Sequence, residues 1–486
     1  MGHVPASSRA GASVQFTMNH PYSTSSPGKP RWATRNRLSP ERTEDGLYQA
    51  NNKKEYVSAS DHGHNGPAAA AAHRAANSPV NAVAVLQQSR RQDLYQSITL
   101  FPELSSLELC LLESMLHKQI EVDRYIIGPS FRERHQQAFV DYLQSGMTLV
   151  KDAFIACMVL LVENPQIRKL AQDQHVGHKR AANALASLRH LEVSGSDNSS
   201  AVLMLGIAIV TFASHHSGGE LPLCRHTLDL VKRFHDNEPT FIKQLSCDGI
   251  SALNCLLATE TFICLLRGHV PSIRIREGDF DGLVDRFMGV SAPLLTHLYD
   301  VCQLIELIRR SRRESNNSHL RARLRTRLKT VEQTLRVWQP MSLESLREGN
   351  FTPTEITLML TQVMVLRQTA LIVLYRLQHA FGTHDGRAIA MSRYLVRELH
   401  SMVRLTGRSA PCLDFPYLFA CFELVDRWER EAALCNLHLV AEFSPRTADD
   451  LKTWLVSFWT ARDNSGGGSI YWDDIESHLF GTGGRM

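Results

Sequence analysis

The sequence predicts an all-α protein: a single large irregular helical bundle or array, preceded by a disordered tail. Three observations predict it. Apolar residues recur at steps of three and four through most of residues 97–480. Strand signals are scarce, since no Asn-Gly or Asp-Gly pair joins two alternating runs. The first 96 residues are rich in Ser, Ala, Asn, Pro and Gly and poor in large aliphatics, too little apolar surface to offset their ordering entropy. The expected organisation is a tail over 1–96 and an all-α body over 97–486.

Within the tail, Gly28 to Arg37 carries Lys29, Arg31, Arg35 and Arg37 without an acid. It reads as a nuclear-import or phosphate-contacting patch, or as solvated chain. Ser26-Pro27, Ser39-Pro40 and Ser78-Pro79 are candidate phosphosites, and Ala68 to Ala72 is low in complexity.

In the body, Leu104, Leu107, Leu109, Leu111, Leu112, Met115 and Ile120 place an apolar stripe at near-helical spacing. Met147 to Val162 is apolar and too long for a typical strand, and Ala182, Leu185, Leu188 and Leu191 repeat every three. Ala201 to Ala213 runs almost wholly apolar until Ser217-Gly218-Gly219 stops it. Leu223 to Phe234 follows Pro222, and Ser251 to Leu266 is closed by Gly268 and Pro271. Pro293–Ile308, Leu320–Val337, Glu355–Phe381, Ala388–Leu405 and Phe415–Leu439 continue the pattern. No period of 33 to 47 residues relates these segments, so a regular solenoid is not expected.

Composition narrows the function classes. Lys plus Arg is 53 against Asp plus Glu at 49, a net charge of +4, so any basic partner surface must be local. Ten cysteines lie between Cys110 and Cys435 with no CxxC pair, which removes the usual zinc and redox spacings and leaves them as small core hydrophobes in a reducing compartment. The start lacks a secretory h-region. The apolar runs Ala153–Val162 and Ala201–Val210 fall short of the roughly 18 to 20 residues of a membrane span, so they read as buried helices and no membrane partner is expected.

The motifs that would carry chemistry are missing. GxxxxGK[ST], GxGxxG after a strand, GxSxG and kinase motifs do not occur. Glu113, His117 and Glu121 stand at i, i+4 and i+8, a spacing that suits a metal or, more simply, a solvated stripe. Asp173, His175 and His178, like His215-His216, read as polar loops or helix ends. Asp449-Asp450 and Asp473-Asp474 lack the third acid of a diphosphate-binding helix. No catalytic, cofactor or metal residue is assigned.

Two charged segments remain. Arg309, Arg310, Arg312, Arg313, Arg321, Arg323, Arg325, Arg327 and Lys329 share their stretch with one acid, Glu314, while Leu320, Leu324, Leu328, Val331 and Leu335 keep an apolar line. This reads as an amphipathic helix after a link over 311–318, and its arginines as a nuclear-import or phosphate-facing surface or a solvated face. At the other end, Ile470, Tyr471, Trp472, Ile475, Leu479 and Phe480 interleave with Asp473, Asp474 and Glu476. That pattern suits an activation segment, but better suits a last helix docked by its aromatic face.

Several blocks, taken in order, resemble the fungal-specific transcription factor domain. Val284 to Ser291, leading into Leu294-Leu295 and Leu298 to Leu304, is similar to that family's Met-Gly turn and following helix. Arg267 to Ser272 resembles the turn before it, and Phe415 to Phe419 with Glu423 and Arg427 resembles a later block. Trp454 to Trp459, then Tyr471-Trp472-Asp473, resembles the closing segment. The resemblance covers about 100 to 480. It implies a nuclear transcription regulator, not an enzyme, whose body dimerises or meets other transcription factors and answers to a small-molecule inducer. One departure matters: residues 1–109 contain no cysteine, so the chain as given cannot build the family's zinc cluster. It would then reach DNA only indirectly, or through a missing N-terminal module. The other reading is an all-α enzyme, or a ligand-binding or scaffold protein.

Overall fold

The computed structural model describes residues 102–145, 147–193, 196–216, 218–313, 318–465 and 470–480. The tail with its basic patch and Ser-Pro pairs, and residues 314–317 of the expected link, lie outside the described residues. All described residues belong to one compact unit, and among them there is no strand, only two isolated bridges.

Helix α1 (Ser106–Leu116) begins on a capping box. Ser105 Oγ accepts from the Glu108 N–H, and the Glu108 carboxylate accepts from the Ser105 N–H at 2.8 Å. After it come α2 (Arg132–Ser145), α3 (Met147–Leu161), α4 (Pro165–Asp173), α5 (Val176–Arg189) and α6 (Ser196–His216). Then follow α7 (Glu220–Asn237), the single turn α8 (Phe241–Gln244) and α9 (Cys247–Arg267), which Gly268 ends in the left-handed region at φ 63°. An irregular stretch leads to α10 (Leu294–Arg313), α11 (Ser318–Val337), α12 (Leu343–Glu348) and α13 (Pro353–Gln378). Thr352 and Glu355 cap α13 as a second box, with Pro353 at its first position. The chain closes with α14 (Asp385–Thr406), α15 (Asp414–Cys421), α16 (Arg427–Val440), α17 (Pro445–Asn464) and α18 (Ile475–Phe480).

Helix α9 is the axis of the body. It packs on α6 and α7 on one side and on α10 on the other, and α10 passes the contact on to α13. Its apolar residues are distributed all round, because every face meets another helix. The buried apolar side chains form one nearly continuous core from Leu104 to Ile475.

Three sequence expectations need correction. First, the Phe415–Leu439 pattern is two helices, not one. Glu423 is drawn inward onto Arg376, and the carbonyls freed at the break are claimed by arginines: Arg462 donates to Phe422 O at 2.7 Å and Arg430 to Leu424 O at 3.0 Å. Second, the length argument against membrane spans fails. Asn198–His216, Cys247–Arg267 and Pro353–Gln378 are each long and apolar enough to cross a bilayer, although 83% of the most apolar window of Cys247–Arg267 is buried against protein. Third, α1 stops before the expected Glu113–His117–Glu121 face is complete. Lys118 turns left-handed at φ 55°, and Glu121 pairs with Arg124 and Arg168 instead.

Candidate functional site

The Met-Gly block folds as a tight buried turn. Asp285 and Gly289 exchange both backbone hydrogen bonds at 2.8 Å, and Asp285 Oδ1 accepts from the N–H groups of Phe287 and Met288 at 2.8 Å. Gly289 sits at φ 50°, and a Cβ there would lie 2.6 Å from Met359 Cγ, so only glycine fits. Buried Gln362 of α13 donates to Phe287 O at 2.9 Å and to Pro411 O at 2.8 Å, fastening the turn to the segment before α15. The neighbouring Arg267–Ser272 block is also internal wiring. The Glu260 carboxylate accepts from Ser272 N at 2.9 Å and from Ser272 Oγ at 2.8 Å, with Arg225 3.2 Å away.

This turn forms part of the wall of a cavity of about 680 Å³. Exposed residues (Gly219, Pro222 and Arg446) border one part of it, and buried ones (His135, Phe139 and Arg286) border another, so it leads from the surface inward. The wall between is mainly apolar, with Cys157, Met204, Phe262, Phe415, Trp454 and Phe480 among its members. A volume and lining of this kind suit a small organic molecule.

Four polar groups of this cavity are not matched in the ordinary way. Arg286 is 3% exposed; its Nη1 donates to Asp248 Oδ1 at 2.8 Å, but Nε and Nη2 are buried without a hydrogen-bond partner. His135 Nδ1 is likewise buried and unpartnered, its ring edge-on to Phe139 and Phe287. Burial, reinforced by Arg286, pushes its pKa well below the usual histidine range, so the ring is neutral. Nearer the surface, His269 Nδ1 is unpartnered. Burial raises the Asp414 carboxyl to about 6, with Glu220 adding to the effect.

The lining offers little to transform a substrate with. Burial pushes Cys157 and Cys255 up to about 12, so neither supplies a thiolate. Ser214 Oγ is 3.4 Å from His215 Nδ1, but it donates to Thr211 O at 2.8 Å. The His215 ring is held by carbonyls, 2.9 Å from Thr211 O and 2.7 Å from Phe443 O, not by an orienting carboxylate. Among the described residues no three His, Cys, Asp or Glu side chains stand together as metal ligands would.

The basic segment divides in two. Arg309 donates to the carbonyls of Arg267 and Asp473 at 2.9 Å, and Arg312 pairs with Asp473 at 2.9 Å while stacking 3.6 Å over the Tyr471 ring. Both therefore hold the closing segment. Arg310 pairs with Glu306 on its own helix, and Arg313 is exposed. On α11, Arg321, Arg323, Arg325, Arg327 and Lys329 are all exposed, while Leu324, Leu328, Val331 and Leu335 are buried, as the amphipathic reading expects. The closing segment is docked: Trp472 is 1% exposed, and its indole N–H donates to Leu265 O at 2.8 Å. Sequence reasoning passed over the cavity. Its sequence signal was the charged pair Asp285-Arg286 inside a mainly apolar block.

The described residues thus form an all-α body around a mainly apolar cavity. The chain belongs to the fungal specific transcription factor domain family, whose model matches residues 131–480. No curated protein and no solved structure matches the chain. Membership carries the general assignment: a regulator of transcription.

Proposed function

We propose that this chain is a nuclear transcription regulator whose helical body is a ligand-responsive module, and that it reaches DNA through a partner. The observation that carries the reading is the family match over residues 131–480, which takes in all of the cavity wall except Arg124 and Tyr125. One further feature supports it: the solvent-facing basic row of α11 suits an import receptor or an acidic partner.

The test is a reporter assay with the full chain tethered to DNA by a foreign DNA-binding domain, beside transcript profiling after its deletion. Altered reporter output together with a changed transcript set is expected. Unchanged results in both would overturn the regulator assignment.

A further inference from the structure

We propose that the cavity binds an apolar monocarboxylic acid, its carboxylate seated on Arg286 and His135 and its apolar body lying toward Trp454 and Phe480. This deepens the preceding reading and rests on it. The argument begins with the geometry of Arg286. The Nε–Nη2 edge is the one that grips a carboxylate with two parallel bonds, and this protein uses it repeatedly for that purpose. Arg376 holds Glu423 that way at 2.7 and 2.5 Å, and Arg274 holds Asp300 at 3.2 Å through each nitrogen. In Arg286 the same edge is empty. A buried guanidinium with two unmet donors is costly, and a bound carboxylate relieves that cost.

The surroundings select the ligand's charge. Asp248 is shared between Arg286 and Arg134, so one carboxylate there faces two cations. Asp285 is the remaining acid nearby; its Oδ1 is engaged by two backbone N–H groups, and burial disfavours its ionised form. His135 packs 5.5 Å from the Phe287 ring, over which Arg286 also lies at 5.5 Å, so its free Nδ1 belongs to the same corner. A single carboxylate fits this arrangement better than a dianionic phosphate, which would need further cations. Of the other arginines of the wall, Arg124 is paired with Glu121, Arg225 with Glu260 and Arg446 with Asp450, while Arg267 lies over the Phe480 ring and so faces the end of the cavity given to the apolar body. Glu220, Asp414 and Asp450 also line the wall, so a second anionic group on the ligand would meet acids.

The experiment titrates the purified full chain with dodecanoate, dodecan-1-ol and dodecylamine, three heads on one tail, read by calorimetry. Dodecanoate is expected to bind at least about tenfold more tightly than the alcohol, the effect of a charge-assisted pair. Arg286→Lys keeps the charge facing Asp248 but lacks the two-pronged edge, and should remove most of that preference while alcohol binding stays. Ala208→Phe, which takes up cavity volume without altering Arg286, should weaken acid and alcohol together; circular dichroism confirms that both variants fold. Equal binding of acid and alcohol, or a preference unchanged in Arg286→Lys, would overturn the proposal. So would tighter binding of the amine, lost on Asp414→Asn. None of these results bears on the tethered reporter, so the ligand class and the regulator reading fail separately.

Discussion

The fully buried pair Arg376–Glu423 makes the sharpest stability prediction. Neither side chain has any exposure, and their two bonds measure 2.7 and 2.5 Å. Arg376 also donates through Nη1 to Ala380 O at 2.7 Å and Thr383 O at 3.0 Å, and through Nη2 to Asp385 at 2.6 Å. Burial pushes the Glu423 carboxyl up even against the pull of Arg376, a measure of how little water reaches the site. Glu423→Gln leaves a buried cation facing only Asp385, and breaking such a pair costs about 3–5 kcal/mol. Arg376→Met/Glu423→Leu removes both charges, and Ala380 O keeps the Thr383 N–H and Oγ1 as donors, so its cost should reduce to the Thr383 carbonyl that loses its donor, about 1–3 kcal/mol. Urea midpoints followed by circular dichroism at 222 nm measure Glu423→Gln, the double variant and its two singles, Arg376→Met and Glu423→Leu, with the wild type. The reasoning fails if Glu423→Gln costs under about 1 kcal/mol, or if the double variant loses the sum of the two singles.

Three other outcomes are expected. Trp472→Ala removes the anchor of the closing segment and should cost about 3–5 kcal/mol in the same titration, with faster proteolysis near residue 470. Asp414 titrates near 6 in the folded chain against an ordinary 3.8, because burial favours its neutral form. The native state therefore holds that proton more tightly than the unfolded chain, and stability should fall as pH rises from about 4 to 6, by at most roughly 3 kcal/mol. In Asp414→Asn that slope should vanish, as midpoints at pH 4 and 7 will show. Changing Arg321, Arg323, Arg325 and Arg327 together to Gln should leave a fluorescent fusion in the cytoplasm with an unaltered melting curve; a nuclear signal would move the import role elsewhere.

Much of the fold was legible because helix signals are local. Gly268 after Arg267 and the leucine line of α11 act within one or two turns, and each marks an observed boundary or face. The break between α15 and α16 was not legible. It depends on Arg376 and Arg462, which approach from other helices, and on Arg430, which reaches back from α16. The same limit divided the basic run. Arg309 and Arg312 look like Arg323 and Arg325 in sequence, yet the first two are consumed by the segment around Asp473, more than 150 residues away. The cavity was hidden for the same reason. Its wall draws on residues from Arg124 to Phe480, and no single stretch contains enough of it to show a pattern.

A ligand in the cavity can influence the basic helix only through elements that touch both. Phe480 and Arg267 belong to the cavity wall, with the Arg267 guanidinium 4.8 Å over the Phe480 ring. Arg309 binds the carbonyls of Arg267 and Asp473, and Arg312 pairs with Asp473 near the end of α10, the helix that precedes α11. Contiguity alone transmits nothing; the ligand must prefer one arrangement of the closing segment. Driving that segment from 1:99 to 99:1 needs about 5.5 kcal/mol of preference. A carboxylate on Arg286 contributes about 1.5–3 kcal/mol, and at a place remote from the segment. The remainder must come from apolar contact with Trp454 and Phe480, at about 0.8 kcal/mol for each buried methylene. Acetate should therefore leave amide exchange over 470–480 unchanged even at saturation, whereas dodecanoate should slow it. Equal protection by both acids would place the switch at Arg286 and sever the closing segment from it.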